Sequence, residues 1–126
     1  MLTLPRSVRI YLATAPADMR KGHDGLCALV KQDLGRDVYS GHLFVFVSRK
    51  GDRVKILTWD HGGFVLYYKR LELGRFRLPK IAEGEVSIRL NGAQLAMLLD
   101  GIDYSRVRRP IHWRPPDKKI DSRSGS

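Results

Sequence analysis

The chain has 126 residues, 43% of them hydrophobic, and its 23 Lys and Arg outnumber 13 Asp and Glu for a formal charge of +10. That length holds one folded unit with no second core, and that hydrophobic content excludes wholesale disorder. The single cysteine, Cys27, excludes an internal disulfide and a multi-cysteine zinc site and fits a reducing compartment.

Val8-Arg9-Ile10-Tyr11-Leu12 alternates and is rich in β-formers, which predicts a first strand. After a break at Thr14–Asp18, Leu26, Leu29, Val30 and Leu34 fall on one stripe of an amphipathic helix. Asp24 stands at its start and Gly35 just past its end, so the helix is expected over 24–34, with Met19 as its furthest start.

Residues 43–71 read as a three-stranded antiparallel meander. Leu43–Ser48 joins Val54–Trp59 through Gly51-Asp52, a pair suited to a two-residue type II′ turn. A four-residue loop, Asp60-His61-Gly62-Gly63, then leads into Phe64–Leu71. Glu85–Leu90 is a further short strand. Asn91, with Gln94 three residues on, has the form of a capping box, and Leu95, Leu98, Leu99 and Ile102 supply the stripe of a second helix ending near Gly101. From Tyr104 the composition turns to Arg, Pro, Lys and Ser. The expected organisation is one α+β domain over 1–104, a meander packed on two helices, with a basic, partly flexible tail over 105–126.

The meander matters because of its charges. With Gly51-Asp52 as the turn, Lys50 faces Arg53, Phe46 faces Leu57 and Phe44 faces Trp59; in the next hairpin Trp59 faces Phe64, Leu57 faces Leu66, Lys55 faces Tyr68 and Arg53 faces Arg70. This gathers Lys50, Arg53, Lys55 and Arg70 on one face at one end of the sheet. Arg49 and Lys69 lie on the other face at that end. Any one of these cations reads most simply as a solvated edge charge that discourages aggregation. As a group on a basic chain they point to a polyanion, nucleic acid first and an anionic membrane surface second. Tyr67 and Tyr68 beside them have two readings, base-stacking platforms or half-buried packing residues.

No catalytic pattern emerges. Asp18, Asp24, Asp60, Glu72, Asp100 and Asp103 have ordinary turn and helix-end positions, and no spacing among them marks a metal pair. His23, His42, His61 and His112 lack ligand spacing, and no nucleophile elbow, P-loop or dinucleotide fingerprint occurs. An enzyme, a metal centre and a cofactor are therefore not expected. No apolar run approaches the roughly 18 residues of a membrane span. The N-terminus lacks an export signal, so the expected location is cytoplasmic.

Several ordered motifs together resemble a known family. They are Asp18-Met19-Arg20-Lys21-Gly22, Asp24-Gly25-Leu26, Gly41–Phe46, Lys55–Asp60, Gly63-Phe64, Leu66–Glu72, and Gly74-Arg75-Phe76 with Pro79. Over about residues 5–115 the chain resembles TnpB, the second-open-reading-frame accessory protein of insertion sequence 66 transposable elements. His23, Val65, Leu78 and Tyr104 depart from that pattern, where the family often has larger apolar or aromatic residues, and this bears on local packing. The resemblance implies a bacterial mobile-element protein that works beside a separate, larger transposase carrying the catalytic acids. The family pattern includes Lys55, Lys69-Arg70 and Arg20-Lys21. The last pair can start the first helix, where backbone N–H groups would reinforce phosphate binding, or be an exposed loop pair.

The resulting expectation is a non-catalytic accessory protein of transposition. Its partners would be element-end DNA, bound with low intrinsic specificity, and the transposase of the same element. The DNA contacts would come from Arg49, Lys50, Arg53, Lys55, Lys69 and Arg70, with Arg75, Arg77, Arg20, Lys21 and the tail adding backbone contacts. Two alternatives stand beside it: a protein adaptor for the transposase without direct DNA contact, and a cryptic metal-dependent nuclease using Asp60, His61 and Glu72.

Overall fold

A computed structural model describes residues 7–101; the tail read over 105–126 lies outside the described residues. The elements run β1 (Ile10–Ala13), α1 (His23–Gln32), a short 3-10 helix (Val38–Ser40), β2 (Leu43–Val47), β3 (Arg53–Asp60), β4 (Gly63–Arg70), β5 (Ser87–Leu90) and α2 (Gly92–Asp100). They form a single mixed sheet in the order β4-β3-β2-β1-β5 with two helices, an α+β fold as the sequence led us to expect.

The meander β2-β3-β4 is antiparallel, while β1 lies parallel to β2, with α1 in the crossover between them. β5 then pairs antiparallel with the free edge of β1. Side chains alternate across each strand, and each helix covers one face. Leu26, Val30 and Leu34 pack on Tyr11, Phe44, Phe46 and Leu57 on the α1 face. Leu95 and Leu98 of α2 pack on Ile10, Leu12, Val45 and Ile56 on the opposite face. Burial on both sides explains why β2 is apolar at every position, Leu-Phe-Val-Phe-Val, with all five residues buried.

The β3–β4 register is the one expected: Trp59 opposite Phe64, Leu57 opposite Leu66, Lys55 opposite Tyr68 and Arg53 opposite Arg70. Its turn is tighter than expected. Asp60 pairs with Gly63, leaving His61 (φ 46°) and Gly62 (φ 83°) as two left-handed residues, the geometry of a type I′ turn.

The β2–β3 hairpin differs by two residues. Phe44 opposes Leu57, Phe46 opposes Lys55 and Val47 opposes Val54, so the connection spans Arg49–Asp52 and Lys50 does not pair with Arg53. Ser48 causes the shift: its N–H donates to the Arg53 carbonyl (2.9 Å) and its hydroxyl accepts from the Arg53 N–H (3.1 Å). The longer loop is then tied from outside, since the Phe76 N–H donates to the Gly51 carbonyl at 2.7 Å. A shift of two preserves the face of every side chain, so the apolar stripe survives it.

Helix α2 carries the capping box read from Asn91 and Gln94, with both reciprocal bonds formed, and ends at left-handed Gly101 (φ 68°). Helix α1 starts at His23 with no side-chain cap on Gly22 and stops at Gln32, two residues early. Leu34 is buried all the same, because its N–H reaches back to the Leu29 carbonyl before Gly35 turns left-handed at φ 64°.

Candidate nucleic-acid interface

The sheet end that carries the Arg49–Asp52 loop is where β3 begins and β4 finishes, so residues far apart in sequence meet there. Arg49 and Lys50 are exposed in the loop itself. The segment after β4 folds back along it: the Leu71 N–H donates to the Asp52 carbonyl (2.8 Å), and the Arg75 side chain packs over Gly51. Buried Phe76 anchors this return, with exposed Arg75 and Arg77 on either side of it.

The expected site residues separate into distinct roles. Arg53 and Arg70 stand directly opposite each other on the α1 face. Arg70 lies 3.6 Å from the Glu72 carboxylate, whereas Arg53 Nε is buried without a hydrogen-bond partner among the described residues. A buried unsatisfied donor is costly, and like charges directly opposed in a sheet add to the cost. Lys55, on the same face, turns inward. Its ammonium donates to the carbonyls of Met19 and Lys21, both at 2.8 Å, and lies 5.3 Å from the Tyr68 ring centroid. Lys69, on the α2 face, donates to the Leu99 carbonyl at the end of α2. Lys55 thus ties the loop before α1 to the sheet, and Lys69 ties the end of α2 to it.

Arg20 and Lys21 lie in the loop leading into α1. The Arg20 guanidinium makes a two-pronged pair with Asp18 at 2.8–3.1 Å, which holds the Asp18 carboxyl down to about pKa 2. Lys21 is half-buried, and its carbonyl is one of the acceptors of Lys55. Tyr67 and Tyr68 are both nearly half exposed, on opposite faces of β4. The nuclease constellation is not brought together. Asp60 and His61 sit in the β3–β4 turn 3.5 Å apart, while Glu72 lies beyond the far end of β4, roughly 20 Å or more away by strand rise. Among the described residues no cluster of His, Cys, Asp and Glu could hold a metal ion. No helix among them is long and apolar enough to cross a membrane.

Three further cations escaped the sequence reading. Arg9 precedes β1, Arg89 opposes Tyr11 in β5, and the Arg36 guanidinium lies 3.9 Å over the buried Tyr11 ring. His42 stands among them, its ring edge-on to Tyr11 at 5.7 Å and its Nδ1 accepting the Arg9 backbone N–H at 3.0 Å. Residues 9, 36, 42 and 89 share no local pattern, so no periodicity could have grouped them.

Partial burial, then Arg9, Arg36 and Arg89, push the His42 pKa below its ordinary 6.5. A base with a depressed folded pKa favours the fold while neutral. That contribution is complete above about pH 6.5 and fades as pH falls toward the folded pKa. Replacing His42 with Gln should therefore flatten the acid limb of the stability curve between pH 7 and 5, measured by urea unfolding.

The family model described as IS66 Orf2 like protein matches residues 8–109. The chain belongs to that family. It is 37% identical over 115 residues to the uncharacterized protein y4jC of Sinorhizobium fredii, covering 91% of this chain and 97% of the relative. A second protein of that organism, the uncharacterized protein y4hO, is 38% identical over 115 residues, covering 91% and 96%. No solved structure gives a significant match. Membership of the IS66 Orf2-like family makes the chain an accessory protein of an insertion sequence, associated with the transposase of its element. The matched stretch includes the whole described sheet, both helices and every cation placed above.

Proposed function

We propose that this IS66 Orf2-like chain is a non-catalytic accessory factor that binds the phosphate backbone of element DNA, or of the transposase–DNA complex, through the Arg49–Asp52 end of its sheet. One observation carries the reading: Arg53 and Arg70 are directly opposed there, and the buried Nε of Arg53 has no partner among the described residues. Exposed Arg49 and Lys50 lie in the adjoining loop, and exposed Arg75 and Arg77 in the segment that folds back along it. An anion between the guanidiniums would relieve both the repulsion and the unsatisfied donor. Lys55 and Lys69 support the site from within, since their charges are engaged by backbone carbonyls. Such contacts supply affinity without sequence reading.

The test is a salt titration of binding to labelled duplex DNA. Each phosphate contact adds about 0.9 to the slope of log K against log salt. Arg49→Ala with Lys50→Ala should therefore lower the slope by about two, with stability unchanged to within about 0.5 kcal/mol because both residues are exposed. An unchanged slope would remove this loop from the interface.

A second reading, docking onto the transposase itself, is favoured by apolar exposure near the same end. Tyr67, Leu73 and Leu78 are 43%, 56% and 41% exposed, and among the described residues no strand pairs with the outer edge of β4. Association with transposase in the absence of any DNA affinity would select it.

A further inference from the structure

The Arg9, Arg36 and Arg89 cluster lies at the opposite end of the sheet from the Arg49–Asp52 loop. β3 runs away from that loop and β2 runs back to it, so Leu43 begins at the far end, and β1, parallel to β2, also begins there. Ile10 pairs with Leu43, which sets Arg9 beside His42, and Tyr11 pairs with both Phe44 and Arg89. The α1 face therefore carries two cationic sites at opposite corners, with α1 between them.

We propose that Arg9, Arg36 and Arg89 form a second oxyanion site, floored by Tyr11 and His42, that takes a phosphoryl group. Three guanidiniums arrive from three separate segments: the approach to β1, the loop after α1, and β5. None of them has a carboxylate partner among the described residues. Asp37, the acid next to Arg36 in sequence, has its side chain occupied by the Tyr39 N–H at 2.9 Å. Stacking on buried Tyr11 fixes the plane of the Arg36 guanidinium over the sheet. That limits the rotamer freedom lost when an anion is bound, and it makes Arg better suited to this position than Lys.

His42 reports on occupancy. The groups facing it are Arg9 from the approach to β1, Tyr11 from β1, Arg36 from the loop after α1 and Arg89 from β5, with Ser40 Oγ accepting its backbone N–H at 3.2 Å. With its Nδ1 accepting from the Arg9 backbone, the neutral ring carries its proton on Nε2, which is the N–H left to donate to an anion. The charge of a bound phosphoryl group should raise the His42 pKa, the second proton going to Nδ1 in place of the Arg9 N–H bond, and affinity should rise as pH falls through the His42 range. Inorganic phosphate and a nucleic-acid backbone share this chemistry, and the two sources separate in the test.

The experiment is an NMR titration of the whole chain with sodium phosphate against sodium chloride at matched ionic strength, following the His42 ring and the three Arg Nε–H signals. A second series uses a short duplex oligonucleotide. Phosphate should shift all four residues and raise the His42 pKa. Arg89→Gln, on an exposed edge-strand position, should weaken binding by about tenfold, the worth of one charge-assisted hydrogen bond. Arg36→Lys checks the stacked guanidinium without removing charge and should also weaken it, while Lys50→Ala should leave it intact. Loss of oligonucleotide affinity in Arg89→Gln assigns the backbone as the source; loss of phosphate binding alone assigns the free anion. If neither ligand moves the His42 pKa, or if affinity is unchanged in Arg89→Gln, the site does not exist. The site at the Arg49–Asp52 end stands or falls separately, because its own variants leave these four residues untouched.

Discussion

Replacing Phe44 with Ala should lower the unfolding free energy by about 3–5 kcal/mol. Phe44 is fully buried at the centre of the five-stranded sheet, stacked on Tyr11 with ring centroids 5.8 Å apart and paired with Leu57. It belongs to the cluster in which the α1 residues Leu26 and Val30 also meet the sheet. A cavity there cannot collapse easily, because β1 and β3 are held on either side by hydrogen-bonded ladders. A domain of this size has about 5–15 kcal/mol of stability, so the variant would lose a large part of it. Urea denaturation followed by circular dichroism measures the change, and a loss below about 1 kcal/mol would contradict the packing described.

Lys55→Ala comes second, at about 2–3 kcal/mol. The cost arises because the Met19 and Lys21 carbonyls would lose their charged donor and Tyr68 its cation. Amide exchange should quicken over residues 19–26, the approach to α1. Lys55→Met, which retains the stem, should recover packing but not the carbonyl bonds. This separates two roles that a sequence reading merges. A lysine that touched phosphate would lower the salt slope by about one and leave stability intact. Lys55→Ala should do the reverse.

Local features were the legible ones. The β3–β4 register followed from aromatic and aliphatic residues two apart on facing strands, where a slip would expose the stripe. The capping box of α2 was visible because its two partners are three residues apart. The β2–β3 register was missed by two residues because Ser48 and Phe76, neither in the turn itself, decide the loop length. The parallel placement of β1 and the pairing of β5 depend on contacts 33 to 80 residues apart, for which a strand's own pattern carries no signal.

The candidate site divides in the same way. The gathering of Arg53 opposite Arg70 was readable from hairpin geometry. The engagement of Lys55 by carbonyls of the loop before α1, and of Lys69 by one at the end of α2, was not, since a lysine's reach depends on which backbone lies above it. The convergence of Arg9, Arg36 and Arg89 around His42 was equally hidden, because it needs β5 beside β1 and the end of α1 over both.

Chain composition, strand alternation and turn chemistry were enough to specify a basic α+β fold and its meander, because each rests on neighbours a few residues apart; the family came from the likeness of ordered motifs between Asp18 and Pro79. Which cations are structural ties and which face outward was settled only by tertiary packing. A long charged side chain goes to whatever donor, acceptor or ring the fold brings within about 3–6 Å of its head group.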